Sequence, residues 1–194
     1  ATFKVAGCRA GFYHPWFNES CSMLVPEADT GAGLICYILK LLTGENINFL
    51  EPFHIEDDLG TFAGGHAGPT DHNDPEWQEN VVIARDVRFA KTHWKYAGAP
   101  FAWYRISPGM KTLAQLIEDN GKYKLICGMA ESLPGKQILA TYSHSIFRPV
   151  VPVKSFEQIL KIGATQHFGV VDGDWRKELK AVSEIMGFEY YEVG

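Results

Sequence analysis

Between Asp29 and Pro52 the chain sets a helical apolar face directly before a buried-strand pattern, and this junction constrains the fold more than any other stretch. Leu34, Ile35, Ile38, Leu39, Leu41 and Leu42 recur at helical spacing, and Gly44 stops the run. Residues 47–50 follow as a strand that ends at Pro52. With an opening strand over residues 3–7, this makes a strand–helix–strand unit, the seed of a parallel sheet.

The same alternation continues, after an interruption. Residues 55–80 are rich in glycine, proline, acids and histidines and read as one long irregular loop. Strands are expected over 81–84, 123–127, 168–171 and 188–193, with an extended segment over 96–106. Helices are expected over 113–118, 134–142, 155–162 and 175–186. Strands alternating with helices predict an α/β fold of mostly parallel sheets flanked by helices.

Composition narrows the function classes. The charge of −5 shows no basic face of the kind phosphate contacts require, which argues against nucleic acid. No apolar run approaches the ~18 residues of a membrane helix, so no membrane span is expected in this chain. No basic-then-apolar start marks a signal peptide within this numbering. Asn18-Glu19-Ser20 matches the N-glycosylation sequon and lies between Cys8 and Cys21, a candidate disulfide. Together they point to an oxidising compartment, hence a secreted, extracellular or periplasmic protein. Four buried reduced thiols, Cys36 and Cys127 among them, are the alternative.

Several features carry a family resemblance. Gly33-Leu34 opens the first helix, Lys91 precedes Pro100-Phe101 by nine residues, and residues 110–116 read as a short helix. The segment 125–128, followed by Ser132 and Lys136, forms a strand-to-helix turn. Residues 156–163, then 168–172, a helix, and 191–194 complete the order. In these features the chain resembles the type II periplasmic solute-binding proteins and the ligand-binding core of ionotropic glutamate receptors. The resemblance implies two α/β lobes, residues 1–104 and 105–194, closing by a hinge on a small polar ligand. Lys91 stands where the family places an arginine that grips a carboxylate by two parallel hydrogen bonds, which lysine cannot do. The segment that returns to the first lobe is absent from the sequence as given.

The site implied by that resemblance needs an anion grip facing a cation grip. Lys91 and the backbone N–H groups from Ser132 through Gly135 to Lys136 supply the first, and Asp172 the second. Lys91 is otherwise a solvated surface lysine, Asp172 a cap for the following helix, and Ser132 an N-cap before Pro134. Tyr13 and Trp77 are the aromatics expected to wall the cleft. His54, His66 and His72 in the irregular loop offer imidazoles without a compact H-x-x-x-H spacing, so no metal and no cofactor are expected. No G-x-S-x-G, H-E-x-x-H or P-loop pattern occurs, so the chain is read as a non-enzymatic binding module. Two alternatives stand beside it: a degenerate domain that meets a protein partner, and a secreted metal-dependent enzyme built on the histidine loop.

Overall fold

The computed structural model describes residues 25–45, 47–66, 81–85, 100–135, 145–151 and 154–193. The first α-helix among the described residues, α1 (Thr30–Thr43), lies where the apolar periodicity predicts it. Asp29 caps the start, its Oδ1 accepting from the Ala32 N–H at 2.9 Å. Gly44 ends it in the left-handed conformation, with φ at 72°. The buried stripe is narrower than the sequence pattern: Ala32, Ile35, Cys36 and Leu39 are buried, whereas Leu34 and Leu41 are exposed.

Nine strands follow: β1 (Asn48–Glu56), β2 (Thr61–Gly65), β3 (Val81–Arg85), β4 (Pro100–Tyr104), β5 (Gly109–Asp119), β6 (Lys122–Ser132), β7 (Ser145–Pro149), β8 (Phe168–Asp172) and β9 (Glu189–Val193). Helix α2 (Lys154–Ile162) precedes β8, and α3 (Arg176–Met186) separates β8 from β9. The sheet order is β5-β8-β1-β2-β7-β6-β9, and β5 also pairs with β6. That second pairing closes six strands into a barrel, and every pairing around it is antiparallel. Closure leaves none of the six with an open edge along the ring. Strand β9 lies outside it, parallel to β6 over Lys124 to Gly128. β3 and β4 form a separate antiparallel pair.

This overturns the expected fold. The chain does not build the two-lobed, mostly parallel α/β architecture that the resemblance to periplasmic solute-binding proteins and receptor cores implies. Strands β1 and β2, from before residue 104, share one sheet with β5 to β9, from after it. The helix expected over 113–118, and the short second-lobe helix at 110–116, are both part of β5. Asn120 and Gly121 have φ of 53° and 80°, the two left-handed residues of a type I′ turn. That turn folds β6 back on β5 in register from Gly109–Ser132 to Asp119–Lys122. The irregular loop is also shorter than expected, because β1 runs to Glu56 and β2 occupies Thr61–Gly65.

Alternation along the strands builds two faces. Leu50, Phe62, Leu113, Ala130, Phe147 and Val170, contributed by strands all around the ring, pack together. Phe49, Ala114, Leu116, Leu125 and Val171 pack with Ile35, Cys36 and Leu39 of α1 and Leu179 of α3. The helix sits close. A Cβ on Gly31 would stand 2.4 Å from the Leu116 carbonyl oxygen, and one on Gly169 would stand 3.0 Å from Cys36 Sγ. Glycine at both positions lets α1 lie on β5 and β8, which fixes where Asp29 enters. Among the described residues, no helix is long and apolar enough to cross a membrane.

Candidate metal centre

The barrel brings together two histidines that are remote in sequence. β2 and β8 flank β1 on opposite sides, with Gly65 opposite Glu51 and Phe168 opposite Leu50. The residue after β2 is His66 and the residue before β8 is His167, so both arrive beside the middle of β1. Their side chains are buried, at 3% and 2% exposure. The Phe49 ring lies against both, 5.0 Å from His66 and 4.7 Å from His167, and the two imidazoles are 5.2 Å apart.

A carboxylate faces them. Glu27 Oε1 is 3.5 Å from His66 Nε2, and Glu27 Oε2 is 3.7 Å from His167 Nε2. Glu27 and Ala28 both have left-handed φ, 62° and 56°, in the short turn before α1. That conformation costs non-glycine residues on the order of 1 kcal/mol each, and such strain collects at functional sites. Here the turn aims Glu27 at the imidazoles while leaving it half-exposed to solvent.

The surrounding hydrogen bonds set the histidine's chemistry. Asp29 divides its carboxylate: Oδ1 caps α1, and Oδ2 lies 2.9 Å from His167 Nδ1. A carboxylate accepts only, so Nδ1 carries a proton, and in the neutral imidazole Nε2 is then the nitrogen able to take a metal. Gln166 Nε2 sits 3.0 Å from that Nε2 and donates to Glu27 Oε2 at 3.1 Å. Buried Gln115 holds this stretch of backbone from the far side. Its amide nitrogen donates to the carbonyls of Thr165 and His167, at 2.9 and 2.6 Å, and its oxygen accepts from the Thr165 N–H at 2.9 Å.

One donor atom each from Glu27, His66 and His167 lies within 4.8 Å of the others. A tetrahedral zinc with ligands at about 2.0–2.1 Å spaces them about 3.3 Å apart. The two Glu27 oxygens lie near that spacing from their imidazoles, and the three donors, within 4.8 Å as a set, would draw together on a metal. Asp29, bonded to His167 Nδ1, is the kind of carboxylate partner that would orient a ligating imidazole.

No protein-family model matches this chain, and no curated protein is a match to it.

The residues singled out from sequence are scattered. Asp172 at the end of β8 bonds the Nζ of Lys111, a lysine with no exposed surface that also reaches Ser107 Oγ at 2.9 Å. Ser132 is buried, its hydroxyl donating to the Ile106 carbonyl at 3.3 Å. Gly135 is exposed and its carbonyl accepts from Arg105. His54 is exposed beside Glu56 at 3.4 Å, away from the buried pair. Lys91, Lys136, Tyr13, Trp77, His72, Cys8, Cys21 and Asn18 lie outside the described residues. Of the two described loop histidines, His66 enters the cluster and His54 does not. Glu27, Asp29, Gln166 and His167 were not candidates, and the one local signal for them was Asp29 as a helix cap.

Both described cysteines are free and buried. Burial, with nearby Asp29 adding to it, pushes the Cys36 thiol up to about 12. Burial pushes Cys127 up to about 11, against the opposing hydrogen bond with Tyr190 at 3.0 Å. Both are thiols at neutral pH, without the thiolate that a nucleophile or a metal-ligating cysteine needs.

Asp29 gives the first expected result. Asp29→Ala removes a helix cap, costing about 1 kcal/mol. It also frees His167, which lowers zinc affinity by about ten- to a hundredfold. Asp29→Asn restores the cap but not the charge, so thermal unfolding recovers while zinc affinity, read by chelator competition, stays low.

Proposed function

We propose that this chain is a binding protein for a divalent transition metal, zinc first, whose open coordination position takes an oxygen of a small polar ligand. The observation that carries this reading is the convergence of Glu27, His66 and His167, with Asp29 behind His167. Imidazole and carboxylate donors suit zinc, and three protein ligands leave one tetrahedral position open. A carboxylate of a small ligand is a hard anionic donor that fits there. The small-ligand reading of the sequence therefore moves from a cleft between lobes to the metal. The raised thiol pKa values of Cys36 and Cys127 argue against either acting as a nucleophile. Asn18-Glu19-Ser20 together with Cys8 and Cys21 support a location outside the cell.

Thermal unfolding of the native chain tests the reading. A metal that binds only the folded state stabilises it by about 2.7 kcal/mol at a hundred times its dissociation constant. Zinc should raise the melting temperature, and a chelator should reverse the rise. Magnesium, which prefers an octahedral oxygen shell, should not. A melting temperature unmoved by zinc would sink the proposal.

A further inference from the structure

Two grooves share Thr165, just before Gln166 and His167, and they differ in charge. One, of 650 Å³, is bordered by the carboxylates of Asp29, Glu118 and Asp119. The other, of 580 Å³, runs between β1 and α2 and has no carboxylate in its walls. Its sides are Phe53 and Ile55 on β1 and Phe156, Ile159 and Leu160 on α2, with Gln166 at one end. Phe53, Ile55 and Leu160 are exposed, Leu160 at 69%, so this apolar wall faces solvent.

We infer, resting on the metal reading above, that the ligand is a monocarboxylate with an unbranched apolar chain, its head on the metal and its tail in this groove. Gln166 is the link. Gln166 lines the groove and its side chain contacts both Glu27 and His167, so one residue separates the groove from the proposed metal position. Hydrophobicity selects the direction. The hydrocarbon tail gains burial against Phe53, Ile55, Phe156, Ile159 and Leu160, and gains less against the groove bordered by Asp29, Glu118 and Asp119. Pro52, Phe156, Ile159 and Phe168 are shared with a small apolar cavity of 70 Å³ under α2, which extends the hydrocarbon surface available to the tail.

Each buried methylene strengthens binding by about fourfold. Zinc-loaded protein, titrated calorimetrically, should therefore bind octanoate at least about tenfold more tightly than acetate. Octylamine, with the same tail and a cationic head, should not bind. Leu160→Glu, on an exposed helix face, should erase the octanoate advantage while zinc affinity stays unchanged. Octanoate binding no tighter than acetate, with zinc uptake intact, overturns the groove and leaves the metal site standing. Octanoate binding equally to zinc-free protein overturns the head-on-metal arrangement. Self-association that Leu160→Glu abolishes, with no octanoate uptake, assigns the groove to a second copy of the chain and also overturns it. Absence of zinc uptake removes the reading on which the inference rests.

Discussion

His167→Ala should lower zinc affinity at least about a hundredfold, beyond the effect of losing an orienting partner alone. His167 is the donor best prepared for a metal. Its Nδ1–H is held by Asp29 at 2.9 Å, its ring is packed on Phe49, and its backbone carbonyl is pinned by Gln115. Removal leaves two ligands, too few to hold zinc against water. The substitution also empties a buried position, so metal-free protein should melt lower, by the cost of a small cavity of about 1–3 kcal/mol. His66→Ala should behave alike, because its imidazole is equally buried and faces the same Glu27 carboxylate. Competition against a chromophoric chelator reads the affinity, and thermal unfolding without metal reads the structural cost separately. Two variants that lose stability but keep full zinc affinity would place the metal elsewhere.

Asp172→Ala should destabilise the barrel by about 3 kcal/mol, the lower end for breaking a buried ion pair. Lys111 projects from β5 with no exposed surface, and β8 lies alongside with Asp172 opposite it. Asp172 is itself half-exposed, which tempers the penalty through partial solvation. Loss of the carboxylate strands an ammonium whose remaining contact is Ser107 Oγ. The double variant Lys111→Met/Asp172→Ala should recover most of that loss, since an apolar side chain of similar length needs no partner. Urea unfolding of the two proteins makes the comparison. If Asp172 instead met the ammonium of a bound ligand, the single substitution would leave unfolding unchanged and weaken amine binding.

Local structure was legible in the sequence wherever one element was decided by its own periodicity. Helix α1 and its Gly44 stop, α2, α3, and strands β6, β8 and β9 all lie close to where apolar spacing places them. What periodicity cannot supply is which strand pairs with which, or in what direction. The alternation of helices and strands argued for parallel pairing, yet the barrel is antiparallel and the β6–β9 pair alone among the barrel's neighbours is parallel. β5 was misread for a definable reason. Leu113, Ala114, Gln115 and Leu116 favour helix by propensity, and tertiary pairing on both sides overrides it. The Asn120-Gly121 dipeptide was the available signal for a hairpin. Pro52 was taken to end a strand, but β1 continues past it, because the register shifts between Pro52 and His54 and a bulge accommodates proline.

The candidate site was legible only in one member. His66 is one of three loop histidines, with His54 and His72, that the sequence offers as weak candidates, but its partners come from the turn before α1 and the approach to β8. Only closure of β2, β1 and β8 into one sheet brings them together, and that depends on the antiparallel order. The opposed Lys91 and Asp172 of the sequence reading required two lobes, which the chain does not form. Asp172 pairs with the Lys111 ammonium, an ion pair internal to the fold and not the ligand contact expected of it.

The most direct measurement is the X-ray absorption spectrum of zinc-loaded protein at the zinc edge. Glu27, His66 and His167 predict a first shell of nitrogen and oxygen only, at about 2.0–2.1 Å, with the outer-shell scattering of two imidazoles. A sulfur shell at about 2.3 Å, or a spectrum without imidazole scattering, would contradict the site.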